Sequence, residues 1–235
     1  MLAKLKSPRV LLIGVVALVV LFAVAYFTLF NPDSPAEFSL ENQQGATNAA
    51  APPAGELAGT WSVSEGTAGY RVREKLAALP APSDAVGRTN AVTGDVTITG
   101  SDSAYKVSNV NFTVDVSQLK SDEDRRDNRI RSIGLETDKY PQATFAAAGP
   151  IDIPADAVDG KAVTVQAEGD MNLHGQTKKI TIPLQVQRNG NQIQLVGNYE
   201  FSWADFGMTA PSVQPFVSVT GNPKLEFTIK MSKQA

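Results

Sequence analysis

Few residues in this sequence are of a type that moves protons, binds metals or attacks electrophiles near neutral pH. There is one histidine, His174, and no cysteine. Thiolate nucleophiles, disulfide staples, cysteine zinc sites and iron-sulfur clusters are thereby excluded. His174 sits between Leu173 and Gly175, where an alternating strand pattern ends. Without a second histidine a metal there would rest on carboxylates alone, so the expected role of the imidazole is a turn hydrogen bond. The acids Asp122, Glu123, Asp124 and Asp127 lack the alternating ligand spacing and loop glycine of a calcium site, and they read as a solvated helix face. Asn111-Phe112-Thr113 matches a glycosylation sequon but falls inside a predicted strand. Neither a phosphate-cradling glycine loop nor a G-x-S-x-G elbow is present. No catalytic residue, metal or cofactor is expected, which leaves binding as the chemistry to look for.

The elements that would position such a site are strands. Val110, Phe112, Val114 and Val116 alternate with polar residues, as do Val163, Val165, Ala167, Met171 and Leu173. The pattern continues through Ile180, Ile182, Leu184 and Val186, through Ile193, Leu195, Tyr199, Phe201 and Trp203, and through Leu225, Phe227, Ile229 and Met231. A period of two with one dry face and one wet face marks antiparallel sheet. Asn189-Gly190-Asn191 joins two of these strands as a hairpin. The predicted fold class is therefore all-β, closed as a barrel or paired as a sandwich. Inward aromatic residues such as Phe112, Phe145 and Phe201 either fill the interior or line a cavity, and composition does not choose between these. One segment departs from the pattern. Ser121 to Gly134, SDEDRRDNRIRSIG, predicts a short helix capped by Ser121 with Asp124 and stopped by Gly134, with Ile130, Ile133 and Leu135 resting on an apolar seat.

Ahead of the strands the chain has two other parts. Residues 10–30 form an apolar run without a charge, long enough to cross a bilayer as a helix. Lys4, Lys6 and Arg9 precede it and Asp33 and Glu37 follow it, so residues 1–9 are expected in the cytoplasm and everything after the span outside it. A cleaved signal peptide is the competing reading, with Ala23-Val24-Ala25 as its cleavage site. Residues 31–58, rich in Pro, Ala, Asn and Gln, read as a partly extended tether, and 59–235 as the domain. With 21 basic and 24 acidic side chains, a net charge of -3, nucleic acid is not an expected partner.

From Gly59 to Lys233 the domain resembles the YceI-like family of polyisoprenoid-binding proteins. The resemblance is carried by Gly59-Thr60-Trp61, by Arg126-Asp127 with Ile130, by Leu135 to Phe145 (LETDKYPQATF), by Gly169 to Lys178 (GDMNLHGQTK) and by Ala204-Asp205-Phe206-Gly207-Met208. It implies an eight-stranded antiparallel lipocalin-like barrel with a short helix near its mouth and an isoprenoid lipid or isoprenoid quinone in an apolar channel. The expected lining is Phe112, Val114, Ile130, Ile133, Leu135, Phe145, Met171, Leu173, Phe201, Trp203 and Phe206. Arg126, Asp127 and His174 are expected either at the head group or as structural polar residues. The implied protein is a membrane-anchored, extracytoplasmic binding protein without enzymatic activity. A solid-cored structural or interaction domain is the alternative. Two positions depart from the family pattern: Glu74 stands where many members have histidine, and Trp203-Ala204 where many have arginine. Loss of those cationic groups favours a neutral head over a diphosphate.

Overall fold

Alternating apolar residues become barrel staves because each strand can then bury one face while its polar face meets water. The structure, a computed structural model, describes residues 34–40, 56–77, 81–102 and 104–234. Its strands are β1 (Gly59–Leu76), β2 (Ser83–Thr89), β3 (Val92–Ser101), β4 (Ala104–Asp115), β5 (Gln142–Asp152), β6 (Val163–Leu173), β7 (Gln176–Asn189), β8 (Gln192–Glu200) and β9 (Val217–Lys233). Neighbours from β3 to β9 pair antiparallel in chain order, and β9 returns to β1, from Trp61 opposite Lys233 to Leu76 opposite Val217. The sheet is closed.

Nine strands make eight staves. Gly59 faces Ile98 and Ala68 faces Thr89, so nine steps along β1 are matched by nine steps back on its partner. β2 and β3 are therefore one stave in one register, interrupted at Asn90 and Ala91. The interruption has a local cause: Val92 packs on Gly66, and a Cβ at Gly66 would stand 2.8 Å from the Val92 Cβ. The Thr67 hydroxyl donates to Asn90 Oδ1 at 2.8 Å across the gap. Of the two all-β arrangements expected, the structure is the barrel.

The predicted helix forms with different ends. α1 spans Asp124–Arg129 and runs on as a π-helical turn over Ile130–Gly134. Glu123, not Ser121, is the N-cap and accepts from the Arg125 amide, while the Ser121 hydroxyl donates to Asp127 at 2.7 Å. Nor does Gly134 supply the left-handed stop. That conformation falls on Glu136, at φ 47°, and Gly134 is small because Ile130 and Pro211 would meet its Cβ at 3.2 and 3.6 Å. A second single turn, α2 (Ala155–Val158), was not expected, since four residues are too few to show a helical period.

Between residues 31 and 58 the described part is not all free chain: Ser34–Leu40 lies on the outer wall, with Leu40 buried. No helix among the described residues is long and apolar enough to cross a membrane. Residues 1–9, the apolar run 10–30 and most of the tether lie outside the described residues.

If Val92 on Gly66 sets the break in the second stave, Gly66→Ala should destabilise the barrel by about 1–3 kcal/mol through overpacking, seen as a lower urea midpoint. Adding Val92→Ala should recover much of that loss; an unchanged midpoint for Gly66→Ala would refute the packing account.

Candidate functional site

The inward faces of the staves do not fill the barrel. They enclose a cavity of about 190 Å³, more than ten times the roughly 10–15 Å³ one water needs. Leaving such a volume unpacked costs on the order of 4 to 5 kcal/mol, so a barrel that keeps it forgoes considerable stability. Phe112 and Val114 of β4, Phe145 of β5, Met171 of β6, Leu184 and Val186 of β7 and Leu225 and Phe227 of β9 line it. The polar residues on the lining are Thr144, Asp152, Gln166 and Arg188. Apolar walls of this kind reward an apolar guest at about 25 cal/mol per Å² removed from water.

The two ends of the barrel differ. At the α1 end a buried cluster including Leu173, Ile180, Phe201, Phe206 and Met208 closes the interior. At the other end the lining runs through Ile151–Pro154 to Ala157 of α2 and reaches the surface at Asp152, whose carboxylate is 82% exposed and paired with Lys106 at 2.7 Å. Near this end lies Arg188. It continues the inward series Ile180, Ile182, Leu184 and Val186 on β7, and is 4% exposed. Its Nε donates to the Gly190 carbonyl at 3.1 Å. Burial lowers the pKa of the guanidinium against the opposing influence of Tyr105, but a guanidinium stays charged under ordinary conditions. It is the one cation on the cavity lining.

Of the residues expected to line the interior, Phe112, Val114, Phe145 and Met171 do so. Leu173, Phe201 and Phe206 belong to the closing cluster, and Leu135 and Trp203 pack against it. Ile130 is buried beneath the helix, whereas Ile133 is 49% exposed. Parity picked the inward face on β4 to β6, but Leu173 at the end of β6, Phe201 just past β8 and the following 3-10 turn (Trp203–Phe206) meet the plug rather than the cavity.

Arg126, Asp127 and His174 are away from the cavity, each held by protein partners. Arg126 and Asp127 do not pair with each other. Arg126 bonds Glu74 of β1 at 2.6 Å and also Asp122, which ties α1 to the wall. Its pKa is raised by Glu74 and Asp122 in spite of burial. Asp127 accepts from the Ser121 amide and hydroxyl at 3.0 and 2.7 Å. Beside them Tyr70 is pushed well above the usual tyrosine range by burial, opposed by Arg126 and reinforced by Asp127 and Glu74. His174 and Gly175, both at positive φ, make the two-residue turn between β6 and β7. The His174 ring nitrogens are taken up by the Phe206 carbonyl at 3.1 Å and the Glu136 carboxylate at 2.5 Å. Among the described residues no cluster of three His, Cys, Asp or Glu is placed to hold a metal. Sequence reading missed Arg188, although its parity marks it as the next inward position after Val186.

The chain matches the family model of the YceI-like domain over residues 62–231. It is 31% identical over 140 residues to a UPF0312 protein of Vibrio parahaemolyticus, an alignment that covers 57% of this chain and 69% of that protein. A UPF0312 protein of Vibrio campbellii aligns over the same shares at 31% identity. Among solved structures, a polyisoprenoid binding domain from Saccharophagus degradans, implicated in plant cell wall breakdown, superposes with a TM-score of 0.55 at 17% identity, covering 74% of this chain and 98% of that one. That likeness establishes the fold.

Because Arg126 is the partner of a buried carboxylate, Arg126→Met alone should cost about 3–5 kcal/mol. The double variant Arg126→Met with Glu74→Leu should regain most of the loss in a thermal unfolding comparison. Equal destabilisation of the single and double variants would remove the pair from its locking role.

Proposed function

The chain belongs to the YceI-like family, and on that footing we propose that it binds an isoprenoid lipid or isoprenoid quinone in its barrel, outside the membrane to which residues 10–30 anchor it. The observation that carries this reading is the cavity itself, an apolar volume retained inside a closed barrel at a cost in packing. A prenyl chain is a fitting guest. It is long, flexible and almost wholly apolar, and its transfer from water into such walls offsets the loss of its own freedom. The polyisoprenoid binding named for the Saccharophagus degradans domain is of the same kind. Carriage, sensing and scavenging all need only reversible binding, without a reaction.

Head-group preference follows from Arg188. The two family departures, Glu74 and Trp203, are not on the cavity lining, and Glu74 is occupied by Arg126. The expectation of a neutral head therefore loses its basis in those two residues. A guanidinium at the cavity's α2 end donates to a phosphate or a quinone carbonyl alike, more strongly to the anion.

Native mass spectrometry of the full-length chain, released from detergent after incubation with geranylgeranyl diphosphate, geranylgeraniol or a prenylated benzoquinone, tests the proposal. All three should bind, and Ala167→Trp, which fills the cavity from β6, should abolish binding of each. Arg188→Met should weaken the diphosphate by about tenfold or more and leave the alcohol nearly unchanged. Failure of every probe to bind would sink the reading, whereas equal binding of diphosphate and alcohol before and after the Arg188 change would remove only the head-group assignment.

A further inference from the structure

Glu226 is an anomaly on the outside of the barrel. It alternates with Leu225 and Phe227, which line the cavity, so it points outward, yet it is 1% exposed. A buried carboxylate needs partners, and here it has two: Arg71 Nε at 3.2 Å and Arg88, through Nε at 2.9 Å and Nη2 at 2.7 Å. What covers the group is the segment Ser34–Leu40. Arg71 donates to the Pro35 carbonyl at 2.5 Å and Arg88 to the Ala36 carbonyl at 2.7 Å. Lys224 pairs with Glu37 at 2.7 Å, the Arg88 guanidinium lies 4.0 Å over the Phe38 ring, and the Leu40 amide donates to Gln185 on β7 at 3.2 Å. The segment is thus bonded to β2, β1, β9 and β7 in turn.

Its first residue fixes a direction. The Ser34 hydroxyl donates to the Asp84 carbonyl at 2.8 Å. Asp84 follows Ser83, which faces Glu74, the carboxylate that holds Arg126 of α1. The segment therefore enters at the α1 end. Only residues 31–33 separate Ser34 from the end of the apolar run at Phe30, a reach of no more than about 14 Å. A free tether from residue 31 to residue 57 would instead hold the barrel at an r.m.s. distance of about 30 Å. The two largest exposed apolar side chains among the described residues, Phe216 at 66% and Ile133 at 49%, are at this same end. The Phe216 carbonyl accepts from Ala77 just past β1, and Ile133 precedes Gly134, which packs beside Pro211.

We infer that Ser34–Leu40 is a strap that fixes the α1 end of the barrel against the lipid surface from which the chain emerges, with Phe216 and Ile133 in its headgroup region. The inference rests on the reading of residues 10–30 as a membrane span. Under it the α2 end, where the cavity reaches the surface, points away from the anchoring bilayer.

Because the chain has no cysteine, a single introduced thiol reports from one place. Full-length Ser132→Cys and Ala155→Cys, each labelled with a fluorophore and inserted in phosphatidylcholine nanodiscs bearing a headgroup acceptor dye, sample the two ends of a barrel roughly 30 Å long. Transfer from position 132 should exceed that from position 155 several-fold. Breaking the strap with Glu37→Lys and Phe38→Ala, outside the barrel core, should erase the difference. Equal transfer from both positions in the intact strap, or a difference that survives strap breakage, overturns the inference while leaving the anchor standing. Recovery of the chain in the aqueous fraction instead of the nanodiscs overturns the anchor reading and the strap's role together.

Discussion

The pairing of β1 with β9 is the constraint on which the remaining architecture depends. An open sheet of this length would expose two unpaired edges and would collapse its apolar face onto whatever covered it. Closure replaces both edges with ladder hydrogen bonds and lets the wall carry its own stiffness. A hollow interior is then tolerable, because the shape is set by the circumference and not by side chains meeting in the middle. β1 makes this work by serving both neighbours, β9 on one edge and the interrupted β2–β3 stave on the other. Its outward charges Arg71 and Arg73 and its inward residues Ala68, Tyr70 and Val72 then fall to opposite sides by parity alone.

Closure also lets the two ends specialise. At the α1 end, aromatic and aliphatic side chains are packed to exclusion, with Phe201 and Phe206 meeting edge to face at 5.3 Å. The ionic ties cluster there as well, from Arg126 and Glu74 to the His174 turn. At the α2 end the walls are lined but not filled, and the cation on that lining is the buried guanidinium of Arg188. Rigidity and capacity are thereby separated along one axis.

How much of this was legible in the sequence depends on the length scale of each signal. β4 and β6 to β9 could be read because each alternates over many residues, and Phe112, Val114, Phe145 and Met171 could be placed on the interior by the same count. Arg188 was overlooked because a search for apolar residues stopped at Val186, even though the strand's parity did not. Parity also says which face a residue takes but not how far along the barrel it lies, so Leu173 and Phe206 were grouped with the cavity when they belong to the plug. The helix was visible and its ends were not, since Glu123 and Ser121 are equivalent candidates until the position of Asp127 is known. The order of Ser34–Leu40 had no local signal at all. Its seven residues have neither period nor propensity, and they are held by Arg71, Arg88 and Gln185, residues far away in the chain.

The plug at the α1 end gives the cavity a floor. A tube open at both ends would accept a linear molecule of any length and let the surplus trail out on the far side. Under the proposed function a blind one would make length a criterion: a chain that bottoms out on Met171 and Ile182 would bring its head level with Arg188 only if its length fits, stopping short of it if shorter and passing it if longer. On that reading the barrel would be a gauge as well as a container, and the side chains that set its scale would be those of the floor, which need never touch the head group they position.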